Sequence, residues 1–341
     1  MHSKFQDSPN VNWFSFPRKK EDEPNFPNVI KTFMGRDALN IYLWNIKQKR
    51  ETLTALIPAY ICKEVPDQFK RNSIDIKYYD LKNFQITVND IKSSLDKSID
   101  IFYFVHYFGI YQKNIKEIIK TVKNINPNAI IIEDRAHYLS DKYILPEVDA
   151  VIYSFRKLLP IPEGGGIYSK QKLTYQKKPR LYSNFLVSLV LLKKKIFGHN
   201  PKFSRSNVMK DTLKPSNELL LPSSFSEKVI NQYNIEEEIQ FRRKLFYLWK
   251  ENIEELGIKP VFKELSEKDI PQGFPIYVDN AQHFFENMLK KGIFLKRHWE
   301  LPKYIEKVAP FSYNLSNKII TLPIYKGIEN RNVIFLKNLL K

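Results

Sequence analysis

A lysine and an aspartate are the side chains of this 341-residue sequence that point most directly to chemistry. Lys157 follows an apolar, β-branched run and precedes three of the ten glycines, Gly164 to Gly166, and it lies 23 residues after Asp134. An amine that loses its charge easily when desolvated can form imines with carbonyl groups. A carboxylate can hold a positively charged ring nitrogen, so the pair fits the two ends of a pyridinium cofactor such as pyridoxal phosphate. The alternative is a surface turn in which Lys157 is a solvated charge.

Short strand-like runs that alternate with helical patterns must position these residues. The runs at residues 101, 129 and 151 are apolar without alternation, as in strands covered on both faces. Between them, residues 115–125 carry one apolar helical face. The pattern predicts an α/β fold with a mostly parallel sheet wrapped by helices. The five predicted strands are Leu53 to Pro58, Ile74 to Tyr79, Ile101 to His106, Ala129 to Glu133 and Val151 to Phe155.

The carboxyl ends of parallel strands form the edge where ligands bind in such sheets. We therefore expect the side chains that follow the predicted strands to converge on one crevice. A helix that begins at Gly35 offers free backbone N–H groups at its first turn, which suit a phosphate. The residues at the strand ends are Tyr60, His106, Asp134, His137, Ser154 and Lys157.

Composition limits the class of protein. Lys and Arg number 55 against 37 Asp and Glu, for a net charge of +18, and 43% of residues are hydrophobic. The chain is therefore globular, and its field favours polyanions. Because the basic residues are scattered, we expect no nucleic-acid partner. A biased, Lys- and Asn-rich composition is the simpler explanation of the charge.

The single cysteine, Cys62, excludes an internal disulfide framework, and no metal site is expected. The longest apolar stretch, Phe185 to Leu192, is too short to span a bilayer and favours a packed helix over a membrane-surface segment. We expect a cytoplasmic protein without a transmembrane segment.

Three regions are predicted along the chain: an irregular N-terminal arm at 1–32, a large α/β domain at 33–225, and a long helix with a small α+β domain at 226–341. The long helix should run from Glu227 to Leu256, with Arg242 and Arg243 on its solvated face. The small domain should contain strands at Ile276 to Val278, Ile293 to Leu295 and Ile319 to Leu322, and helices near 281–291 and 328–341.

The order and spacing of several motifs resemble the DegT/StrS family of pyridoxal-phosphate sugar aminotransferases, which have the fold-type I architecture. The likeness runs from about residue 30 to the C-terminus. The matching segments are Gly35 to Ala38, Pro58 to Tyr60, Val105 to Gly109, Glu133 to His137, Ser154 and Phe155 with Lys157, Glu163 to Gly165, and Leu322 to Ile324.

The resemblance implies a role for each matched residue. Lys157 would form the imine to the cofactor and move the proton, and Asp134 would pair with the pyridinium nitrogen. His137 would contact the ring hydroxyl or the ring face, and Tyr60 would lie over the ring, although the stacking aromatic of the family is usually near Cys62. Ser154 and the backbone N–H groups of Arg36 and Asp37 would hold the phosphate. His106, and His298 with Trp299, would contact substrate.

The resemblance also implies a homodimer that transfers an amino group, from glutamate as the expected donor, to a nucleotide-linked keto-sugar for surface polysaccharides or related sugars. Two alternatives stay open: a dehydratase of the same fold, in which His replaces the lysine, and a non-catalytic scaffold or nucleic-acid-binding regulator. Two departures bear on the site. The link from Ser154 to Lys157 is two residues shorter than in most members, and the Asn-Tyr-Arg segment is absent near residues 215–226.

Overall fold

A seven-stranded sheet organises the part of the chain that the computed structural model describes, which is residues 16–20, 23–197 and 217–340. The strand order is β1-β7-β6-β5-β4-β2-β3, and strands β2 to β6 are parallel, while β7 is antiparallel to both β6 and β1. The strands are β1 (Ile30–Thr32), β2 (Thr54–Pro58), β3 (Asp75–Tyr79), β4 (Ile101–Val105), β5 (Ile130–Arg135), β6 (Ala150–Tyr153) and β7 (Gly165–Ser169). The predicted α/β class with a mostly parallel sheet is confirmed.

Helices cover this sheet because their apolar faces match its buried surface. Every residue of β4 and of β6 is buried, as expected for strands covered on both faces. The predicted apolar face of α4 is also buried, and it comprises Ile115, Ile118, Ile119 and Val122. Burial of each such side chain contributes about 1.5–3 kcal/mol. The helices are α1 (Gly35–Lys47), α2 (Glu64–Arg71), α3 (Val88–Lys92) and α4 (Ile115–Ile125).

Beyond β7, a two-stranded pair, β8 (Gln176–Lys177) and β9 (Glu218–Leu219), flanks the helix α5 (Arg180–Phe197). The apolar stretch that predicted a helix lies within α5, where Leu186 and Val187 are buried but Phe185 is exposed. In the ranges 16–20, 23–197 and 217–340, no helix is long and apolar enough to cross a membrane.

The predicted single helix from Glu227 to Leu256 is wrong. The chain instead forms α6 (Ser224–Gln232) and α7 (Ile235–Glu254), with a break at Tyr233 and Asn234. The reason is local, because the Asn234 side chain accepts a hydrogen bond from the backbone N–H of Glu237 and so starts a new helix. The helix α7 ends before Gly257, which has a φ of 68°.

The C-terminal unit pairs β10 (Gly273–Tyr277) with β11 (Ile319–Pro323) in antiparallel register. The predicted strand from Ile293 to Leu295 is wrong, because Ile293 and Lys296 form only isolated bridges there, that of Lys296 to Thr321. Both Ile293 and Leu295 are nevertheless buried in the core of this unit. The remaining helices are α8 (Ala281–Lys290), α9 (Ile305–Val308), α10 (Pro310–Ser316) and α11 (Asn330–Leu340).

The N-terminal arm falls partly outside the described residues, since residues 1–15, 21 and 22 are not described. Its described part contacts its own chain: Lys19 N–H donates to Gln232 O at 3.0 Å, and Asn234 N–H donates to Pro17 O at 2.8 Å. The end of the predicted irregular arm is the strand β1. The other domain boundaries stay a prediction.

Arg242 is buried rather than solvated, which corrects the sequence prediction. Its side chain is 0% exposed and forms an ion pair of 2.8 Å with Glu238, one turn earlier on α7. Its guanidinium also donates to Leu158 O at 2.8 Å and to Ile324 O at 3.0 Å. Arg242 therefore joins the long helix to the segment that carries Lys157 and to the C-terminal unit.

Replacing Arg242 with alanine should lower the free energy of unfolding by about 3–5 kcal/mol, because Glu238 would be left buried without its partner. Urea unfolding followed by circular dichroism measures this loss. The matched control is Lys244→Ala on the exposed face of the same helix, which should change stability by less than about 0.5 kcal/mol. Equal losses of stability in the two variants would contradict the role of Arg242 in joining these segments.

Candidate active site

Asp134 lies at the carboxyl edge of β5 and is 5% exposed. Both carboxylate oxygens are engaged: Tyr103 OH donates to Oδ2 at 2.6 Å, and the backbone N–H of Ala136 donates to Oδ1 at 2.7 Å. Burial raises the pKa of Asp134, and the positive charge of Lys157 and these two hydrogen bonds oppose that rise. Asp134 is thus a fixed, buried carboxyl group in the field of Lys157.

Lys157 ends a single 3-10 turn, Phe155–Lys157, that follows β6. Burial lowers the pKa of Lys157 from 10.5 to about 8, while the nearby Cys62 and Asp134 oppose this change. Its Nζ lies 6.0 Å from the centroid of the Trp299 ring. A lysine with such a pKa is neutral often enough near pH 8 to act as a nucleophile.

The short link between Ser154 and Lys157 is a closed turn in this structure. Lys157 N–H donates to Ser154 O at 3.1 Å, and Arg156 N–H donates to Gly164 O at 3.1 Å. The turn therefore holds Ser154 and Lys157, which are three residues apart, at its two ends. The shortened link does not separate the two residues.

The first turn of α1 lies directly against Ser154. A Cβ on Gly35 would come within 2.9 Å of Tyr153 O and 3.3 Å of Ser154 Cβ, and one on Gly165 would come within 2.3 Å of Gly35 N. Only glycine permits so close an approach of the three segments. The result is a helix N-terminus beside a hydroxyl group, which suits an anion.

Arg36 and Asp37 occupy this turn. The backbone N–H of Asp37 donates to Met34 O at 3.1 Å, and the contact of the two backbone N–H groups with a phosphate stays a prediction. The side chain of Asp37 accepts from Met34 N–H at 3.0 Å and caps the helix. Its Oδ1 accepts no hydrogen bond from the residues that the structure describes and lies 3.9 Å from Arg36 Nε, and burial raises its pKa to about 7. The Arg36 guanidinium pairs with Glu64 at 2.9 Å.

His137 and Trp299 form a stacked pair between the two units. The ring centroids are 5.3 Å apart with an interplanar angle of 27°. His137 Nδ1 accepts from Phe108 N–H at 3.3 Å, whereas its buried Nε2 has no hydrogen-bond partner within residues 16–20, 23–197 and 217–340. Burial, followed by the charge of Lys157, lowers the pKa of His137 well below its usual range. The neutral ring therefore presents an unused N–H group beside the lysine.

Tyr60 belongs to the same aromatic cluster. Its ring is fully buried and lies 5.6 Å from that of Trp299 and 5.8 Å from that of Tyr107. In the described part of the chain, its hydroxyl has no hydrogen-bond partner. The structure thus brings Tyr60, His137 and Lys157 together around Trp299.

His106 is not placed to contact a substrate, which corrects the prediction. It is fully buried, its Nε2 pairs with Glu133 at 2.7 Å, and its Nδ1 accepts from Gln112 N–H at 3.1 Å. Both ring nitrogens are therefore occupied within the core. His298 is closer to the cluster, since its ring lies 5.1 Å from that of His137 and its Nδ1 is 2.8 Å from Thr321 Oγ1.

Tyr103 and Arg242 are the residues near this site that sequence reasoning did not assign to it. Tyr103 lies within an apolar strand, where a tyrosine is expected to be core, and Arg242 lies in a basic run. In both cases, the partner is distant in the sequence, namely Asp134 and Leu158 O. No local pattern signals such contacts.

Solved structures with this fold were found by structural comparison, while no protein-family model and no curated protein matches the sequence. A candidate sugar aminotransferase from Streptococcus pneumoniae in its PLP form aligns with a TM-score of 0.67 at 13% identity, over 97% of this chain and 98% of that one. A DegT-type aminotransferase from Brucella abortus aligns with a TM-score of 0.62 at 13% identity, over 92% and 84%.

A third similar structure is a GDP-4-keto-6-deoxymannose-3-dehydratase with bound GDP-perosamine. It has a TM-score of 0.63 at 14% identity and covers 92% of this chain and 88% of that one. The likeness therefore extends over nearly the whole chain and includes enzymes of two reaction types. This protein has the fold-type I architecture that pyridoxal-phosphate-dependent sugar aminotransferases share.

Proposed function

We propose that this protein is a pyridoxal-phosphate-dependent aminotransferase of the DegT/StrS family. The observation that carries the proposal is the placement of a buried carboxyl group, Asp134 at the carboxyl edge of β5, and a half-buried amine, Lys157 in the turn that follows the neighbouring strand β6. The Lys157 amine opposes the rise in the pKa of Asp134, and Asp134 opposes the fall in the pKa of Lys157. A carboxyl group and an amine that are held in this way fit the ring nitrogen and the aldehyde of one cofactor.

The other residues around this pair also fit the cofactor. The buried Nε2 of His137 has no hydrogen-bond partner among the described residues, as expected of a donor that would bind the ring hydroxyl. Ser154 lies beside the start of α1, where an anionic phosphate gains from the helix dipole. Tyr60 and Trp299 supply aromatic surface next to the lysine.

Each protein group would have a separate task. The bound cofactor supplies an electron sink for the carbon that loses its proton. Asp134 holds the ring nitrogen in its protonated form, and His137 orients the ring. Lys157, with a pKa near 8, attaches the cofactor and then holds and returns the proton. The aromatic residues restrict the access of water to these groups.

The substrate that we propose is a keto-sugar linked to a nucleotide, with glutamate as the amino donor. One structure of this fold contains a GDP-sugar, and another was solved in the presence of its TDP-sugar product. The net charge of +18 suits a diphosphate-bearing substrate. We propose a cytoplasmic homodimer that supplies amino sugars for surface polysaccharides or related molecules.

The dehydratase reaction is the alternative within this fold. Sugar dehydratases of this type carry histidine at the position of the lysine, since a free amine would recapture the cofactor. The presence of Lys157 in the buried site favours transamination.

The test begins with an absorbance titration of the purified protein with pyridoxal phosphate. A band near 400 nm would report the imine, and added glutamate should bleach it as the amino group is taken up. A mass-spectrometric screen of keto-sugar nucleotides should then give products with an amino group. Absence of any imine band at saturating cofactor would refute the proposal, and a band that glutamate leaves unchanged would refute glutamate as the donor.

Replacing Ser154 with alanine should weaken pyridoxal phosphate binding by about tenfold, because one hydrogen bond to a charged phosphate is lost. The dissociation constant from the absorbance titration measures this effect. Ser169→Ala, at the far end of β7, is the control and should leave the constant unchanged. Equal constants for wild type and Ser154→Ala would show that the hydroxyl does not bind the phosphate.

The capture of pyridoxal phosphate should accelerate with pH. With the pKa of Lys157 lowered to about 8, roughly 10% of the amine is neutral at pH 7 and most of it is neutral at pH 9. We therefore expect about a tenfold rise in the second-order rate constant over this range, followed by a plateau. Stopped-flow absorbance at fixed ionic strength measures the profile. A rise that continues to pH 10.5 would indicate an ordinary, solvated lysine.

A further inference from the structure

A tyrosine on the neighbouring strand lies behind the carboxylate that faces the proposed cofactor. Tyr103 is on β4 in register with Ile132, and Val105 is in register with Asp134. Because side chains two residues apart point to the same face of a sheet, Tyr103 and Asp134 share a face. The Tyr103 hydroxyl reaches the Asp134 carboxylate and donates to its Oδ2 at 2.6 Å.

The surroundings hold this hydroxyl in one position. Tyr103 is fully buried, and its ring packs edge-on against Phe69 at 5.8 Å. Tyr79 OH donates to the backbone oxygen of Tyr103 at 3.1 Å. Burial raises the pKa of Tyr103 well above its usual range, so the group keeps its proton and can only donate to the carboxylate.

The position of the proton between Asp134 and a ring nitrogen depends on the basicity of the carboxylate. A hydrogen bond to the ionised form lowers that basicity, whereas burial raises it. The charges of Lys157 and His106 also lower the pKa of Asp134, and Asp134 in turn raises the pKa of Tyr107. Among the side chains that the structure describes, Tyr103 is the one that donates a hydrogen bond to the Asp134 carboxylate.

We propose that Tyr103 is a positioning residue that keeps Asp134 ionised and oriented, so that the proton stays on the ring nitrogen of the cofactor. This role rests on the proposed function, since it requires that pyridoxal phosphate is bound. Tyr103 does not touch the cofactor and acts only through Asp134. Without the hydroxyl, the more basic carboxylate takes up part of the proton, and the ring becomes a weaker electron sink.

The experiment compares Tyr103→Phe with wild type after loading with pyridoxal phosphate labelled with ¹⁵N at the ring nitrogen. We expect the ¹⁵N resonance of the variant to move toward the unprotonated position, and the dissociation constant of the cofactor to rise about tenfold. Tyr233→Phe is the matched control, because it removes an equally buried hydroxyl that donates to a different carboxylate, that of Glu238, at 2.9 Å. It should leave the ¹⁵N resonance in place.

A double-mutant cycle separates this role from a structural one. In an Asp134→Asn background, Tyr103→Phe should change the dissociation constant by less than about twofold, because the partner has been removed. A ¹⁵N resonance unchanged by Tyr103→Phe, or a full tenfold effect in the Asn background, would overturn the role of Tyr103 alone. Failure of the wild-type protein to bind pyridoxal phosphate would instead overturn the proposed function and this role with it.

Discussion

Replacing Lys157 with alanine is expected to abolish the imine band and to lower transamination by about 1,000-fold or more. The variant loses both the covalent attachment of the cofactor and the group that moves the proton, and proton transfer alone contributes about 10²–10⁴-fold. Single-turnover absorbance with glutamate measures the rate, and the titration with pyridoxal phosphate measures the band.

Two variants make this test specific. Lys157→Arg keeps the positive charge but cannot form an imine with the cofactor, so it should lose the band and the activity as completely as the alanine variant does. Lys170→Ala, an exposed lysine that follows β7, should retain both. Persistence of the band in Lys157→Ala would mean that another lysine attaches the cofactor. Lys296, whose charge also acts on Lys157, would then be the first to examine.

Replacing Asp134 with alanine is expected to weaken pyridoxal phosphate binding by about 30- to 5,000-fold, because the positive ring nitrogen would be buried without its partner. The loss of one member of a buried, hydrogen-bonded charge pair costs about 2–5 kcal/mol. The rate of the half-reaction with glutamate, measured at saturating cofactor, should fall as well, since an unprotonated ring is a weaker electron sink.

The control for Asp134 is another aspartate of the same sheet. Asp149 lies at the amino end of β6, and its carboxylate accepts a hydrogen bond from Ile131 N–H at 2.8 Å. Asp149→Ala should therefore lower stability while leaving the dissociation constant of pyridoxal phosphate unchanged. Equal losses of affinity in the two variants would show that Asp134 acts through the fold and not through the ring nitrogen.

The fold class and most strand positions follow from local sequence. Apolar runs without alternation correctly predict β4, β5 and β6, and the apolar face of α4 is correctly predicted by its helical spacing. These patterns depend directly on which side chains are buried, which is why the predicted elements agree with the observed ones. The boundary between α6 and α7 was missed because the helical pattern continues through Asn234, where a single side chain caps the next helix.

The sequence by itself determined that Lys157, Asp134, His137 and Ser154 lie at or just beyond the carboxyl ends of strands in a parallel sheet, since the end of an apolar run is a local property of the sequence. Only the tertiary structure decided what surrounds them. In the folded chain, both ring nitrogens of His106 have partners in the core, and Arg242 is buried and donates to Leu158 O. Trp299 stacks on His137. These outcomes depend on contacts between segments far apart in the chain, and no local periodicity carries them. The amine of Lys157 shows the difference most directly, because its residue type is in the sequence, whereas the burial that lowers its pKa to about 8 arises only in the folded chain.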